Sequence, residues 1–199
     1  MTLPSAAANV ASIPPHPRSR LRARLVLAGL AACGLAALAW ASFVDPMPRL
    51  IYNPSDSVAV GWYRVDPQGH GADSLPRSLS VGSIVLTTLP PDAAALAAQR
   101  GYLPARVPLL KRVGAVAPQE VCITGRIVRI DGVPSAAALP ADRWGRPLPS
   151  WQQCRHLESG ELFLLSVTNP ASFDSRYFGT VSTSAVIGVA RPIWLEARP

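Results

Sequence analysis

Three short clusters in this 199-residue chain hold side chains able to do acyl-transfer chemistry. The first is Asn53-Pro54-Ser55-Asp56-Ser57, a polar turn with two hydroxyls two positions apart. There Ser57 could attack a carbonyl while the Ser55 hydroxyl and the Ser57 backbone N–H receive the developing oxyanion. The second is Lys111, which follows Val107-Pro108-Leu109-Leu110 and is followed by Arg112 and Val113. Burial among apolar neighbours disfavours an ammonium and lowers a lysine pKa, which would leave an amine able to take the Ser57 proton. The third is Ser172-Phe173-Asp174-Ser175-Arg176-Tyr177, with hydroxyls to orient a neutral lysine and an Asp/Arg pair to brace it. Each cluster also has an ordinary use. Serines in a Pro- and Asp-containing turn satisfy turn hydrogen bonds, a strand lysine can snorkel to the surface, and the third cluster fits a surface turn.

Other chemistries lack residues. A Ser-His-Asp triad needs a histidine beside the nucleophile, but His16 lies before the apolar run, His70 in a Gly-containing loop and His156 just past Cys154. G-x-S-x-G, H-E-x-x-H and phosphate-loop motifs are absent. No metal site is expected, because His156 is the only histidine near Cys122 and Cys154. No cofactor is called for. Of the 19 basic residues Lys111 is the only lysine. A high-GC genome explains the scarcity, but not why the survivor sits in an apolar stretch, where an amine can lose its proton and a guanidinium cannot.

These clusters need a scaffold. A hydrophobic content of 49% is enough for a core, and 21 prolines with 14 glycines, scattered without period, argue for short strands joined by turns. The expected class is mainly β. Leu25 to Val44 is a charge-free run of 20 residues, roughly 30 Å as a helix, and so a transmembrane candidate. Arg18, Arg20, Arg22 and Arg24 precede it and Asp45 follows. The positive-inside rule then places 1–24 in the cytoplasm as a basic disordered tail and 45–199 outside as the working domain. Ala39-Trp40-Ala41 resembles a cleavage site, but the run exceeds the ~7–15 residues of a cleaved signal, which favours a retained anchor. Past the anchor 15 basic residues face 12 acidic ones, with no basic stripe, so no nucleic-acid partner is expected. Ser57 lies 13 residues beyond Val44, at most about 45 Å of chain from the bilayer, which suits a membrane-borne substrate.

Within 45–199, Leu50 to Tyr63 reads as strand, polar turn, strand, and Ile84-Val85-Leu86 as a β-branched strand. Asp92 can cap a helix over 93–100 that Gly101 terminates. Val107 to Val116 reads as the strand of Lys111, Val121 to Ile130 as another, with a hairpin turn at Asp131-Gly132. A Pro- and Arg-rich excursion follows over 136–150, then closing strands at 161–167 and 184–195. Outside the cytoplasm Cys122 and Cys154 can pair; two separate buried thiols are the alternative, and Cys33 sits in the apolar run.

Taken together, the clusters resemble a known family. Asn53 to Tyr63, with Ser57, Gly61 and Tyr63, is similar to the nucleophile motif of signal peptidases in their TraF form. Leu110-Lys111-Arg112-Val113 resembles the lysine motif, and Ser172 to Gly179 the third box. Gln99 to Pro104, the cysteine after the lysine strand and Leu148 to Trp151 favour the TraF form. The resemblance implies a signal-peptidase-type β domain in which Ser57 is the nucleophile, Lys111 the general base, and Ser55 with Ser57 the oxyanion hole. Ser172 would orient Lys111, and Asp174 with Arg176 would support the site. It further implies a single-pass inner-membrane protein with its catalytic domain in the periplasm. It would process a pilin precursor beside a conjugation (type IV secretion) apparatus, by cleavage or by cyclisation. A general signal peptidase acting on secreted preproteins and a non-catalytic assembly factor are the rivals. Ala59 stands where proline is usual, and Ala117-Pro118-Gln119-Glu120 replaces the common Pro-Gly-Asp.

Overall fold

The computed structural model describes residues 17–43, 50–67, 79–166 and 168–196. They fall into two compact units, Met1–Pro46 and Met47–Pro199. The first holds one helix, α1 (Pro17–Phe43), long and apolar enough to cross a membrane over Arg20–Trp40. It begins eight residues before the charge-free run, because proline suits a first helical turn and the Arg, Leu and Ala that follow are good helix formers. Residues 17–24, read from the sequence as tail, are therefore helical; residues 1–16 lie outside the described residues.

The second unit is mainly β. Its strands are β1 (Leu50–Asn53), β2 (Gly61–Pro67), β3 (Ile84–Thr87), β4 (Leu109–Val116), β5 (Glu120–Thr124), β6 (Ile127–Ile130), β7 (Val133–Ala137), β8 (Cys154–His156), β9 (Glu161–Leu164), β10 (Val181–Ser182) and β11 (Val186–Leu195). They form two antiparallel sheets, one ordered β1-β2-β11-β3-β4-β9-β10 and one ordered β7-β6-β5-β8. Alternation fixes the faces: in β2 Tyr63 and Val65 point into the core while Trp62 and Arg64 face out. Between the sheets' contributions, Ala115, Val121, Ile123, Val128, Phe163 and Leu165 build one core cluster. Val58, Tyr63, Val65, Leu86 and Leu110 build another next to the first polar turn.

Sequence readings change in this unit as well. The stretch 121–130 is not one strand but the hairpin β5–β6, turned at Gly125 and Arg126, both at positive φ (56° and 70°). Asp131 and Gly132 (50° and 79°) make the next turn, so two such reversals stand in series. The helix α2 (Pro91–Gln99) is not capped by the Asp92 side chain; it starts after Pro90, with Pro91 preset for the first turn and Asp92 facing its positive end. Gly101 ends it as expected, at φ 69°, with Gly101 N–H bonded to Ala98 O and Tyr102 N–H to Ala97 O.

Cys122 and Cys154 face each other across β5 and β8 and are disulfide-bonded, which decides between the two sequence alternatives. With 32 residues of separation, loop closure implies about 3–4 kcal/mol. Cys122→Ser with Cys154→Ser is accordingly expected to lower unfolding free energy by about that amount, read from chemical denaturation of the full chain in micelles.

Candidate active site

The turn from Pro54 to Val60 joins β1 to β2 without strand pairing, and side chains hold it instead. Asn53, buried at the end of β1, donates through Nδ2 to the carbonyls of Ser55 (2.8 Å), Val58 (3.1 Å) and Ala59 (3.1 Å). Its Oδ1 accepts from Ser55 N–H (3.3 Å) and Ser55 Oγ–H (2.9 Å). Buried Tyr63 donates to Ala59 O at 2.6 Å, Thr168 Oγ1 to Asp56 O at 2.8 Å, and Glu196 N–H to Val60 O at 3.0 Å. Gly61 lets β2 begin against β11: it sits at φ 145°, and a Cβ there would lie 2.2 Å from Trp194 O. Gly61 and Tyr63 thus serve the turn that presents Ser57, and the Tyr63 bond holds Ala59 in place without the usual proline. Ser57 Oγ lies 2.8 Å from Ser55 Oγ.

Lys111 sits on β4 opposite Val85 of β3 and is 2% exposed. Burial pulls its amine down to about 8; the Asp174 carboxylate pushes it back up and Arg176 adds to the lowering. Nζ donates to Ser172 Oγ. Ser172 in turn hangs on Arg176. The Arg176 guanidinium, 1% exposed, gives Nη2 to Ser172 O (3.0 Å) and Nη1 to Pro170 O (3.0 Å) and Ala137 O (2.8 Å). Asp174, fully buried, accepts from Arg176 Nε (2.7 Å) and Nη2 (2.8 Å) and from Ser166 N–H (3.0 Å). Asp174 also caps the short helix α3 (Ser175–Phe178) by accepting from Arg176 N–H. Ser175 is a structural member of the box, its Oγ accepting from Leu164 N–H at 2.9 Å. Gly179, at φ 82°, leaves room for Trp151, whose Cδ1 would be 2.6 Å from a Cβ.

Ser55, Ser57, Lys111 and Ser172 line one cleft of about 750 Å³, whose remaining walls are largely apolar, including Ile51, Leu86, Leu110 and Phe173. The three sequence clusters therefore face the same space. Asp174 and Arg176 stay behind it. Among the described residues Ser57 Oγ bonds to Ser55 and Lys111 Nζ to Ser172, with no direct bond between the two. The substituted turn 117–120 is closed by Gln119, whose Oε1 accepts from Val116 N–H and whose Nε2 donates to Asp131. From the sequence Asn53 and Tyr63 are only members of the nucleophile motif and Thr168 has no role; of the hydroxyls offered to the lysine, Ser172 meets it while Ser175 serves Leu164 N–H. An asparagine followed by proline at the end of an expected strand is the one local signal in the sequence.

The family "Signal peptidase, peptidase S26" matches residues 22–195 of the chain. A plasmid transfer protein TraF from Escherichia coli is 33% identical over 185 residues, covering 87% of this chain and 95% of that protein. Another E. coli plasmid transfer protein TraF is 43% identical over 88 residues, 43% of this chain and 50% of that protein. The conjugal transfer protein TraF of Agrobacterium fabrum is 34% identical over 180 residues, covering 86% and 96%. A crystal structure of a signal peptidase I from Enterococcus faecalis V583 aligns with a TM-score of 0.35 at 20% identity, covering 55% of this chain and 94% of that one. The chain belongs to the signal peptidase family, peptidase S26, in its TraF-type conjugal-transfer form.

Proposed function

We propose that this protein is a membrane-anchored serine endopeptidase that uses a Ser57/Lys111 dyad to process a pilin precursor for conjugative transfer. The observation that carries the reading is a buried lysine, depressed to about 8, lining the same cleft as Ser57. Neutral Lys111 takes the Ser57 proton as Oγ bonds to the scissile carbonyl carbon. The oxyanion receives the Ser57 N–H and the Ser55 hydroxyl. Lys111 then returns its proton to the leaving amine as the C–N bond breaks. Water, or the pilin's own N-terminus, attacks the acyl-enzyme to release a linear or a cyclic product. Ser172 holds the amine on the cleft side, and Arg176 with Asp174 holds Ser172. The helix α1 anchors the chain in the inner membrane with its arginines in the cytoplasm and the β domain in the periplasm, where disulfides persist.

Co-expression with the pilin precursor of the same conjugative element, followed by intact-mass spectrometry, tests the reading. Wild type is expected to shorten the precursor, and Ser57→Ala and Lys111→Arg to leave it whole, because a guanidinium does not deprotonate. Processing by both variants would overturn the dyad. The pH profile adds an independent check: kcat/KM should rise with pH, reach half its plateau near 8 and stay level above, since only the unprotonated amine is a base.

A further inference from the structure

We propose that Asn53 is the positioning residue of the oxyanion hole, acting through Ser55; this rests on the serine-peptidase reading above. The orientation of the Asn53 amide is dictated by its surroundings. Three carbonyl oxygens, those of Ser55, Val58 and Ala59, face one end, which must be the NH₂; a backbone N–H, that of Ser55, faces the other, which must be the oxygen. The Ser55 hydroxyl, 2.9 Å from that oxygen, is therefore the donor to it. An oxygen that has given away its hydrogen can only accept, so the Ser57 hydroxyl donates to Ser55 across their 2.8 Å contact. The chain of donors at rest runs from Ser57 to Ser55 to Asn53.

The hold is most complete at Ser55. Among the described residues, every hydrogen bond of Ser55, through its N–H, its C=O and its hydroxyl, runs to Asn53 or to Ser57. Ser55 is exposed, and an exposed serine in an unpaired turn otherwise samples its rotamers freely. The segment around Ser57 has further supports in Tyr63, Thr168 and Glu196, which bond Ala59, Asp56 and Val60. Loss of Asn53 also takes a donor from the Val58 and Ala59 carbonyls, of which Ala59 keeps Tyr63, but it leaves Ser55 with Ser57 as its one remaining partner among the described residues. During attack the Ser57 proton leaves for Lys111, and the Ser55 hydrogen turns from Asn53 to the oxyanion by rotation about one bond. The Ser55 oxygen is already seated within reach, and the new bond, made to a charge, is the stronger.

The test is a double-mutant cycle on the full chain in detergent micelles, with a synthetic peptide spanning the cleavage site mapped by the co-expression experiment as the probe. Asn53→Ala should lower kcat about 10–100-fold with little change in KM, and Ser55→Ala about 100–1,000-fold. The double variant should fall within about threefold of Ser55→Ala, because the first residue acts through the second. Effects that multiply would overturn the proposal, as would an Asn53→Ala enzyme of wild-type kcat. A readout free of turnover accompanies the cycle: hydrogen exchange should quicken in the 54–60 segment of Asn53→Ala and stay unchanged in the Lys111 strand. Unchanged exchange in 54–60 overturns the proposal even in an inactive protein. Failure of the underlying reading looks different, since Ser57→Ala and Lys111→Arg would then still cleave.

Discussion

Lys111→Met is expected to lose peptidase activity by about 10⁴-fold while making the protein more stable. Folding carries the amine from a free value of 10.5 to about 8, so at neutral pH an ammonium is held where burial disfavours it. The displacement corresponds to roughly 3 kcal/mol, and methionine, of similar length and uncharged, removes that cost while leaving the Ser172 hydroxyl without its partner. A net gain of about 1–3 kcal/mol is expected in chemical denaturation near pH 7. The sign follows from proton counting. Between pH 8 and 10.5 the unfolded chain binds the proton that the folded one has lost, so wild-type stability rises with pH through that window. The advantage of Lys111→Met is therefore full below pH 8 and fades above it. A variant less stable than wild type at pH 7 would show that burial does not strain the Lys111 ammonium.

Arg176→Ala should have the opposite effect on stability and the larger one. The Arg176–Asp174 pair is 1% and 0% exposed, and its guanidinium also serves the carbonyls of Ala137, Pro170 and Ser172. Removing one member of a buried pair costs about 3–5 kcal/mol, a large fraction of the stability of an ordinary domain. Arg176→Ala should therefore lower the thermal midpoint sharply. Arg176→Lys, which keeps the charge and loses the fork, should fall between it and wild type. A midpoint unchanged in Arg176→Ala would mean that the loop from Asn169 to Ser172 is held by something other than this guanidinium.

Much of the scaffold could be read from local pattern. The apolar run of α1, the apolar stretch holding Lys111 and the glycine after α2 are short-range signals, and those elements lie close to where they were expected, whereas β2 runs on past Tyr63 to Pro67. The reading failed where one local rule hid another. Asp92 fits a cap, but Pro90-Pro91 starts the helix first; Asp131-Gly132 is a strong turn signal that masked the equally tight Gly125-Arg126. The candidate site was legible as residue types, since a lone lysine in an apolar strand and serines in a polar turn stand out. Its bracing was less so. Thr168 reaches Asp56, and Arg176 reaches Ala137, across long stretches of chain, and no spacing in the sequence encodes such pairs.

The strand order has a consequence in time. β11, which follows the other described strands in sequence, lies between β2 and β3. On one side of it stands the β1–β2 hairpin whose turn carries Ser57; on the other stand β3 and β4, which carries Lys111. The two halves of the cleft have no strand-to-strand bond to each other until residues 186–195 pair with both. Such non-local pairing is slow to form, and here it waits on a strand made after both halves. A nascent chain emerging from its N-terminus thus carries Ser57 and Lys111 before it carries the strand that ties their two halves of the sheet together.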